Sequence, residues 1–274
     1  MIVKAIHAMN NVKCTLCNSY SKFLFKKKLL SKHKVTFFKC SNCEVIFSEK
    51  PYWLDEAYHK PISVSDVGIL KRNNLLAKAV DLVITLGLFN KRSKYLDYGG
   101  GYGLLVRLLR DRKYDFYRQD KYCENIFARY FDLYDIPMNK RKFELVTAFE
   151  LLEHLTDPNK EFKKVFSYSD STLFSTLLYN TSILKHIDDW WYLAPETGQH
   201  IIFYNIKSLN YIAIKYNMHL YSDNAGLHLF TKREFFINPF LIIKPLLSIY
   251  DYLSNTTEGV QKDFIYTKNK IKKI

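Results

Sequence analysis

Short apolar runs alternate with helix-like segments through the middle of this 274-residue chain. The runs at 95–98, 115–119, 143–149 and 172–178 have the length and composition of buried strands, and the segments between them repeat apolar residues at helical spacing. Strands that alternate with helices in this way form a parallel sheet with helices on both faces. The pattern therefore predicts a doubly wound α/β domain, with a weaker third strand expected within 128–135.

The segments on either side extend this prediction. A long amphipathic helix before the sheet is expected to begin at a cap on Ser65 or Asp66 and to end near Leu88. After the parallel strands, the pattern predicts one helix and two closing antiparallel strands, at 208–216, 218–221 and 227–231. The chain is thus expected to comprise a cysteine-containing module, a main α/β domain and a C-terminal extension, at 1–60, 61–234 and 235–274.

The C-terminal extension is apolar and aromatic up to Leu253 and lysine-rich at its end. Pro239, Lys244 and Pro245 interrupt it, and no run in the chain reaches the roughly 18 apolar residues of a membrane-spanning helix. We expect the extension to pack on the main domain, with docking on a second subunit or at a membrane surface as alternatives. No signal peptide is evident, so a cytoplasmic location is expected. The oligomeric state stays open.

The net charge of +14 is concentrated near the N-terminus. Residues 1–50 contain ten lysines against two acids, Glu44 and Glu49. Such a balance indicates either a nucleic acid or an anionic substrate as partner. The alternative is a general lysine bias of the sequence, which also fits the many Asn, Ile and Tyr residues.

Four of the five cysteines form two pairs with two-residue spacing, Cys14 with Cys17 and Cys40 with Cys43. This spacing lets both sulfurs of a pair reach one tetrahedral ion, and the intervening residues suffice for a hairpin that joins the pairs. Disulfides are disfavoured in a chain without a secretory signal. A structural Zn²⁺ in a ribbon is therefore predicted, and Cys123 is interpreted as a small core residue.

An acid and four glycines follow the first predicted strand of the main domain, at Asp97, Gly99, Gly100, Gly101 and Gly103. A strand, a tight glycine turn and a helix allow a nucleotide-like ligand to approach the backbone closely. The carboxylate suits a ligand with a positive or hydroxyl-bearing end, because it would repel a pyrophosphate. Asp120, at the end of the second predicted strand, has the position of an acid that binds ribose hydroxyls.

These motifs, together with the run from Phe143 to Pro158, resemble the class I S-adenosylmethionine-dependent methyltransferases over roughly residues 60–232. The resemblance implies a Rossmann-like, doubly wound sheet of seven strands with S-adenosyl-L-methionine as cofactor. Asp97 and the glycines would hold its methionine end and Asp120 its ribose. Phe149 and Glu150 are also expected at the cofactor, and Asp135 is the candidate adenine contact. The paired cysteines and the run 190–204 are similar to bacterial methyltransferases of sugar and surface-glycan biosynthesis.

A group of acids and histidines follows the strand at 143–149, at Glu150, Glu153, His154 and, further on, His200. If the segment enters a helix, the first three lie on one face. The pattern resembles the metal site of ubiquinone-pathway O-methyltransferases and small-RNA 2′-O-methyltransferases, which implies Mg²⁺ or another divalent ion that gathers the acceptor hydroxyls. Alternatively His154 only packs or hydrogen-bonds, or His154 or His200 is a general base.

An aromatic run precedes His200, and Trp190, Trp191 and Tyr192 are predicted to form a wall of the acceptor pocket or to pack in the core. Asp188 and Asp189 are further candidate contacts. The predicted function is O-methylation of a hydroxyl of a sugar or glycan precursor, with a small-molecule or glycan acceptor. An RNA methyltransferase that binds phosphates through the basic ribbon is the first alternative. A cofactor-binding interaction module without catalysis is the second.

Overall fold

The computed structural model describes residues 12–59, 66–254 and 257–271. Its strands are β1 Val12–Lys13, β2 Tyr20–Leu29, β3 His33–Cys40, β4 Ile46–Ser48, β5 Lys94–Tyr98, β6 Asp115–Gln119, β7 Leu145–Ala148, β8 Ser171–Ser175, β9 Ile202–Phe203, β10 His219–Ser222 and β11 Leu227–Thr231. Its α-helices are α1 Leu54–Ala57, α2 Ile69–Thr85, α3 Leu104–Asp111, α4 Pro158–Tyr168, α5 Thr181–Lys185, α6 Ile206–Lys215, α7 Phe240–Ser254 and α8 Thr257–Ile271.

The chain forms two compact units, each made of two separate stretches of sequence. The first unit comprises Met1–His59 and Ala148–Glu234, and the second comprises Lys60–Thr147 and Phe235–Ile274. Residues 12–59, with the four paired cysteines, therefore share a unit with the later part of the predicted main domain. The predicted division into 1–60, 61–234 and 235–274 stays a prediction, and the change of unit near 148 has no counterpart in the hydrophobic pattern.

A mixed sheet of six strands confirms the predicted α/β, Rossmann-like fold. In the second unit the order is β7, β5, β6, all parallel, with Tyr95 opposite both Leu145 and Phe116. In the first unit β10, β11 and β8 follow one another in antiparallel pairs, which confirms the predicted closing strands. Four of these strands are buried along their whole length apart from Lys94, namely β5, β7, β8 and β11.

The weak third strand is reduced to one isolated parallel bridge between Arg118 and Asp132, so the described sheet has six strands and not the expected seven. The chain turns at once after this bridge into a 3-10 helix at Leu133–Asp135. The Asp135 carboxylate accepts a hydrogen bond from the Asp132 backbone N–H at 2.8 Å, which closes the turn and prevents a longer ladder. The expected adenine contact of Asp135 stays a prediction.

A second sheet carries the cysteines, in the order β1, β2, β3, β4, β9. The long hairpin of β2 and β3 has a bulge between Phe23 and Phe25, and β9 pairs with β4 so that Phe203 lies opposite Ile46. Phe37, Trp53 and Phe203 are fully buried in one hydrophobic core of the first unit. The predicted zinc ribbon is thus joined to the run 201–203 by backbone hydrogen bonds.

Helix α2 matches the long amphipathic helix expected before the sheet, but its predicted caps differ from those observed. Ser65 lies outside the described residues. The N-cap is Gly68, and the Asp66 carboxylate instead receives two hydrogen bonds from the Arg72 guanidinium, at 2.7 and 3.0 Å. The bidentate ion pair is the stronger interaction for this carboxylate, so the cap prediction on Asp66 is wrong.

Helix α7, in the C-terminal extension, packs against α2 in the second unit. Phe240 and Ile243 are buried, and the Lys71 ammonium lies 2.9 Å from the Asp251 carboxylate. The expectation that the extension packs on the chain holds for this side of α7. Among the described residues, no helix combines the length and apolar character that crossing a membrane requires.

Candidate active site

The glycine turn between β5 and α3 is built so that none of its four glycines can be replaced without backbone strain or collision. Gly103 ends the turn with φ +86°, and a Cβ there would lie 2.7 Å from Asn125 Oδ1. A Cβ at Gly100 would lie 2.6 Å from Asp97 Oδ2 and would cover this carboxylate. Gly99 and Gly101 complete the predicted turn. The missing side chains let a ligand approach the backbone of the turn and leave room for the buried Asp97 carboxylate next to Gly100.

Asp97 is a buried carboxyl at the end of β5, and the Thr147 hydroxyl donates a hydrogen bond to its Oδ1 at 2.7 Å. Burial raises the pKa of Asp97 to about 7, and the nearby Asp120 carboxylate adds to this rise. The Thr147 hydroxyl and the Arg118 guanidinium partly oppose it. A cationic ligand group beside Asp97 would compensate the cost of its buried charge.

Asp120 closes the glycine turn from the end of β6. Its Oδ2 accepts a hydrogen bond from the Gly101 N–H at 2.9 Å, and its Oδ1 accepts from the N–H groups of Tyr122 and Cys123 at 2.7 Å each. A carboxylate offers about four acceptor positions, so room is left for a ligand hydroxyl. Cys123 is half-buried, and burial followed by the Asp120 charge raises its pKa to about 11, which keeps it a neutral thiol.

Arg118 is a buried residue of this turn that the sequence reasoning missed. Its guanidinium donates hydrogen bonds to the carbonyl oxygens of Gly101 and Cys123 and, at 2.7 Å, to the Asp132 carboxylate. It therefore connects the glycine turn with the segment after β6 and the isolated bridge. The available signal was its spacing in β6, because Arg118 has the same strand parity as the buried Phe116.

The glycine turn and its neighbours offer the groups that S-adenosylmethionine, the expected cofactor, requires. S-adenosylmethionine has an ammonium group and a ribose, and the turn offers a buried carboxyl, open backbone at the glycines and a second carboxylate at a strand end. The buried carboxyl is the observation that decides the fit, since an acid with a raised pKa is stabilised by a cation. Asp97, the glycines and Asp120 are therefore the groups that would hold the cofactor.

Phe149 and Glu150 belong to the first unit. Phe149 is buried, and Glu150 has a left-handed backbone with φ +51°. The Glu150 N–H donates to Ser175 Oγ, and the same hydroxyl donates to Glu150 Oε1. The condition for a shared helical face is not met here, because Glu150 has a positive φ and a 3-10 helix follows at Leu152–His154. The expected cofactor role of both residues stays a prediction.

Three of the four predicted acids and histidines lie together in the first unit. Glu153, His154 and His200 each offer one ligand atom within 4.8 Å of the others. Glu150 lies outside this group, because the face expected from an α-helix does not form. We call Glu153, His154 and His200 the triad.

Glu153 is fully buried and only half-satisfied. The Tyr192 hydroxyl donates to its Oε1 at 2.6 Å, whereas Oε2 has no hydrogen-bond partner among the described residues. An unpaired carboxylate oxygen in the interior is costly unless a cation binds it. The Tyr192 ring is buried and its hydroxyl donates to Glu153, which agrees with the core-packing alternative for this residue.

Both imidazoles of the triad are oriented by backbone carbonyls. His154 Nδ1 lies 3.1 Å from the Gln199 oxygen and 3.1 Å from the Tyr58 hydroxyl, and His200 Nδ1 lies 2.6 Å from the Tyr192 oxygen. A carbonyl oxygen only accepts, so each Nδ1 carries a proton that it donates. Burial, followed by the electrostatic interaction with His200, lowers the pKa of His154 to about 3, so the His154 ring is neutral at pH 7 and its Nε2 keeps its lone pair.

The triad fits a divalent ion by its donor chemistry. Two imidazole nitrogens and one carboxylate oxygen leave further coordination positions open, as in catalytic metal sites. Metal-binding histidines characteristically donate their other N–H to a carbonyl, as both do here. Mg²⁺, which the sequence reasoning named first, prefers oxygen ligands, so this donor set favours a transition-metal ion or Zn²⁺ instead.

The aromatic run beside the triad differs in exposure along its length. Trp191 is 70% exposed and its ring lies 5.6 Å from that of Tyr192, whereas Trp190 is half-buried against Phe203 at 5.8 Å. Only Trp191 therefore offers an open face. The Lys27 ammonium donates to the Asp188 backbone carbonyl and lies 3.8 Å from the exposed Asp189 carboxylate. The expected contact of both aspartates with the acceptor stays a prediction.

The four paired cysteines converge as predicted, and none forms a disulfide. The sulfurs of Cys14 and Cys43 are 3.7 Å apart, and those of Cys17 and Cys40 are 3.3 Å apart. Four sulfurs at the usual zinc distance form a tetrahedron with edges of about 3.8 Å. The cluster is therefore consistent with a zinc ribbon.

The comparisons with known proteins agree with this class of fold. A family model described as "Methyltransferase domain" matches residues 71–222, which is more than half of the chain. The chain belongs to this family of methyltransferase domains, and its class is that of the S-adenosylmethionine-dependent methyltransferases. Among curated proteins, no sequence matches the chain.

Several solved structures are similar to the chain at low sequence identity. The plantazolicin methyltransferase BpumL, in complex with a monoazolic desmethylPZN analog and SAH, is 13% identical, with 66% of this chain and 93% of that chain covered and a TM-score of 0.45. An O-methyltransferase family protein from Burkholderia thailandensis is 12% identical, with 71% and 66% covered and a TM-score of 0.45. The methyltransferase domain of bacterial-CtHen1-C is 17% identical, with 58% and 98% covered and a TM-score of 0.38. At these values the likenesses define no acceptor.

The raised pKa of Asp97 makes cofactor affinity depend on pH. Below about pH 7 the carboxyl is neutral and attracts an ammonium group weakly, so the affinity for S-adenosylhomocysteine should rise about tenfold between about pH 6 and pH 7.5 in titration calorimetry. In Asp97→Asn the affinity should be lower and independent of pH over this range. An equal pH response in both proteins would contradict this role of Asp97.

The raised pKa of Asp97 also makes the stability of the folded chain depend on pH. The pKa of Asp97 in the folded chain is raised above its ordinary value of 3.8, so protonation of the carboxyl stabilises the folded chain. This stabilisation is complete below about pH 3.8. This contribution is lost as the pH rises through about 7. The unliganded chain should therefore gain stability from Asp97→Asn at pH 8, measured by thermal unfolding.

Arg118 is expected to act on the cofactor through the glycine turn and Asp97. Arg118→Lys keeps the charge but loses the fork that holds the carbonyls of Gly101 and Cys123, so cofactor affinity should fall about tenfold without a change in its pH midpoint. Arg118→Met also removes the charge that opposes the pKa rise of Asp97, so the midpoint should move to higher pH. A midpoint that is the same in all three proteins would show that Arg118 is only structural.

Proposed function

We propose that the protein transfers a methyl group from S-adenosylmethionine to a hydroxyl of a sugar or glycan precursor, with a divalent ion at the triad. The observation that carries this proposal is the buried Glu153 carboxylate, which has one oxygen without a described partner and lies in the triad with two imidazoles whose Nδ1 atoms face backbone carbonyls. A core that served packing alone would pair this carboxylate or replace it by an apolar residue. The triad is therefore interpreted as a ligand set.

In this proposal the glycine turn, Asp97 and Asp120 bind and orient the cofactor. The Asp97 carboxylate would accept the ammonium group, the turn at Gly99–Gly103 would contact the methionine part, and Asp120 would accept from a ribose hydroxyl. The cofactor supplies a methyl carbon made electron-poor by the neighbouring sulfonium. Arg118 would keep the turn in place by its bonds to Gly101 and Cys123.

The triad would hold the ion through Glu153 Oε2 and the two Nε2 atoms. A divalent ion supplies Lewis acidity, which lowers the pKa of a coordinated hydroxyl. Sugar hydroxyls need such help because they are poor nucleophiles at pH 7. The Tyr192 residue would orient two ligands at once, since its hydroxyl binds Glu153 and its carbonyl binds His200.

The exposed Trp191 ring supports a sugar as the acceptor. Its edge contacts Tyr192, whose ring lies 4.7 Å from that of His200. Sugars present apolar faces of C–H groups that stack on exposed aromatic rings, so Trp191 would hold an acceptor next to the triad. Trp191→Ala would then weaken acceptor binding and leave the cofactor site unchanged.

The four cysteines would hold a structural Zn²⁺ with all four positions filled by protein. Such an ion contributes directly to folding. Here it would fix β3, which pairs with β4, and β4 pairs in turn with the run that follows His200. The ribbon is thus assigned a supporting role for the triad, in addition to any binding role.

An RNA acceptor is the second candidate, and one observation favours it. Lys28 lies directly opposite Lys34, and Lys22 lies opposite Lys39, on the paired strands β2 and β3. Like charges in opposite positions cost stability, so such pairs indicate an anionic partner. Steep salt dependence of RNA binding, together with methyl transfer to RNA and none to sugars, would establish this candidate instead.

The metal content of a Glu153 variant distinguishes the proposed ion at the triad from the proposed zinc at the cysteines. We expect about two divalent ions per wild-type chain, and Glu153→Gln should lose one of them while the sulfur-bound zinc stays, measured by elemental analysis of the purified protein. Glu153→Gln should also lose chelator-sensitive methyl transfer by about 100-fold or more, with unchanged affinity for S-adenosylhomocysteine.

Glu196→Gln is the matched control, because Glu196 is an exposed carboxylate in the same loop as His200 but lies outside the triad. This variant should retain both ions. Equal metal content in Glu153→Gln and the wild type, or methyl transfer that is indifferent to chelators, would overturn the metal assignment. Methyl transfer to no hydroxyl acceptor, despite tight cofactor binding, would favour the non-catalytic module.

A further inference from the structure

Helix α7 has an apolar side that the second unit does not bury. Phe240 and Ile243 face the unit and are buried, as expected for a helix that packs on α2. Large apolar side chains of the same helix are nevertheless exposed: Leu241, Ile242, Leu246, Ile249, Tyr252 and Leu253. We call these six residues the α7 outer face.

The α7 outer face is a continuous stripe. Ile242, Leu246, Ile249 and Leu253 follow one another at steps of three or four residues, which places them on one side of a helix. Ile249 is 58% exposed and Leu253 is 73% exposed. Single exposed apolar residues are ordinary, but a contiguous stripe of this length characterises a docking surface.

An apolar cavity of about 260 Å³ lies at the start of this stripe. Its lining includes Leu86 and Leu88 after α2, Phe236 and Pro239 before α7, and Ile242 of the α7 outer face. All of these side chains are apolar, and Phe236 is fully exposed. The cavity could receive an acyl chain and could not satisfy a polar ligand.

Charge and aromatic placement identify the occupant. Residues 240–274 contain six lysines against three acids, four of the lysines lie in the final run 268–273, and the whole chain carries +14. Basic segments bind anionic lipid headgroups, and Phe and Tyr side chains favour the bilayer interface. Phe236 and Tyr252 lie exposed near the two ends of α7.

We propose that the α7 outer face docks this protein on the surface of an anionic lipid bilayer. The helix lies in the interface plane with Ile249 and Leu253 among the acyl chains, and the basic balance of residues 240–274 favours an anionic surface. Docking of this kind does not require the cofactor, the triad or a particular acceptor. It therefore stands independently of the proposed methyl transfer, although it would bring the chain to acceptors carried on lipids.

Vesicle sedimentation with the full chain tests this proposal. We expect wild-type protein to bind vesicles of about 30% phosphatidylglycerol in phosphatidylcholine, to bind phosphatidylcholine vesicles at least tenfold more weakly, and to be released as salt rises from about 0.1 M to 1 M. Ile249→Ser combined with Leu253→Ser should lower the partition coefficient by tenfold or more. Its thermal unfolding should be unchanged, because both residues are exposed.

Ile214→Ser is the matched control, since Ile214 is an 80% exposed isoleucine of α6, outside the α7 outer face. It should bind anionic vesicles like the wild type. The proposal is overturned if the wild type ignores anionic vesicles, or if Ile214→Ser loses as much binding as the double variant. It is also overturned if the wild type is a dimer that the double variant converts to a monomer without any vesicle binding, since a second copy would then cover this face.

Discussion

The backbone hydrogen bonds of residues 199–203 are the constraint on which the first unit depends. The Ile201 N–H donates to the Glu153 carbonyl at 2.9 Å, and the Ile201 carbonyl accepts from the Ser48 N–H at 2.8 Å. The Gln199 carbonyl orients His154, and β9 adds itself to the ribbon sheet. One short segment therefore fixes the histidines, the turn that carries Glu153 and the last strand of the ribbon. This segment therefore links the ribbon sheet to the triad by backbone hydrogen bonds.

Each unit of the chain contains one buried carboxyl whose cost the fold alone does not offset. Asp97 has a raised pKa in the second unit, and Glu153 has an oxygen without a described partner in the first. Buried acids of this kind destabilise a chain unless a cation or a proton neutralises them. An ammonium group at Asp97 and a metal ion at Glu153 would meet these requirements. The two acids thus explain why the proposed function combines a methyl donor with a divalent ion.

The strands, the glycine turn and the cysteine pairs were predictable because each follows from a local pattern. Hydrophobic alternation indicated β5 to β8, and two-residue cysteine spacing indicated the ribbon. The pairing of β4 with β9 was not predictable, since it joins residues more than 150 positions apart and β9 has only two residues. Whether Glu150, Glu153 and His154 share a helical face could not be decided from the sequence, because residue spacing does not reveal the left-handed backbone at Glu150. Tyr192 illustrates the same limit, as an aromatic run does not reveal which ring is buried.

Anomalous diffraction from crystals grown with S-adenosylhomocysteine tests the central claim most directly, because it locates metal ions independently of activity. The account predicts two peaks per chain, one among Cys14, Cys17, Cys40 and Cys43 and one bonded to Glu153, His154 and His200. The second peak should lie about 2.0–2.2 Å from two imidazole nitrogens and one carboxylate oxygen. A peak among the sulfurs alone, with Glu153 still without a partner at full metal supply, would contradict the claim that the triad is a metal centre.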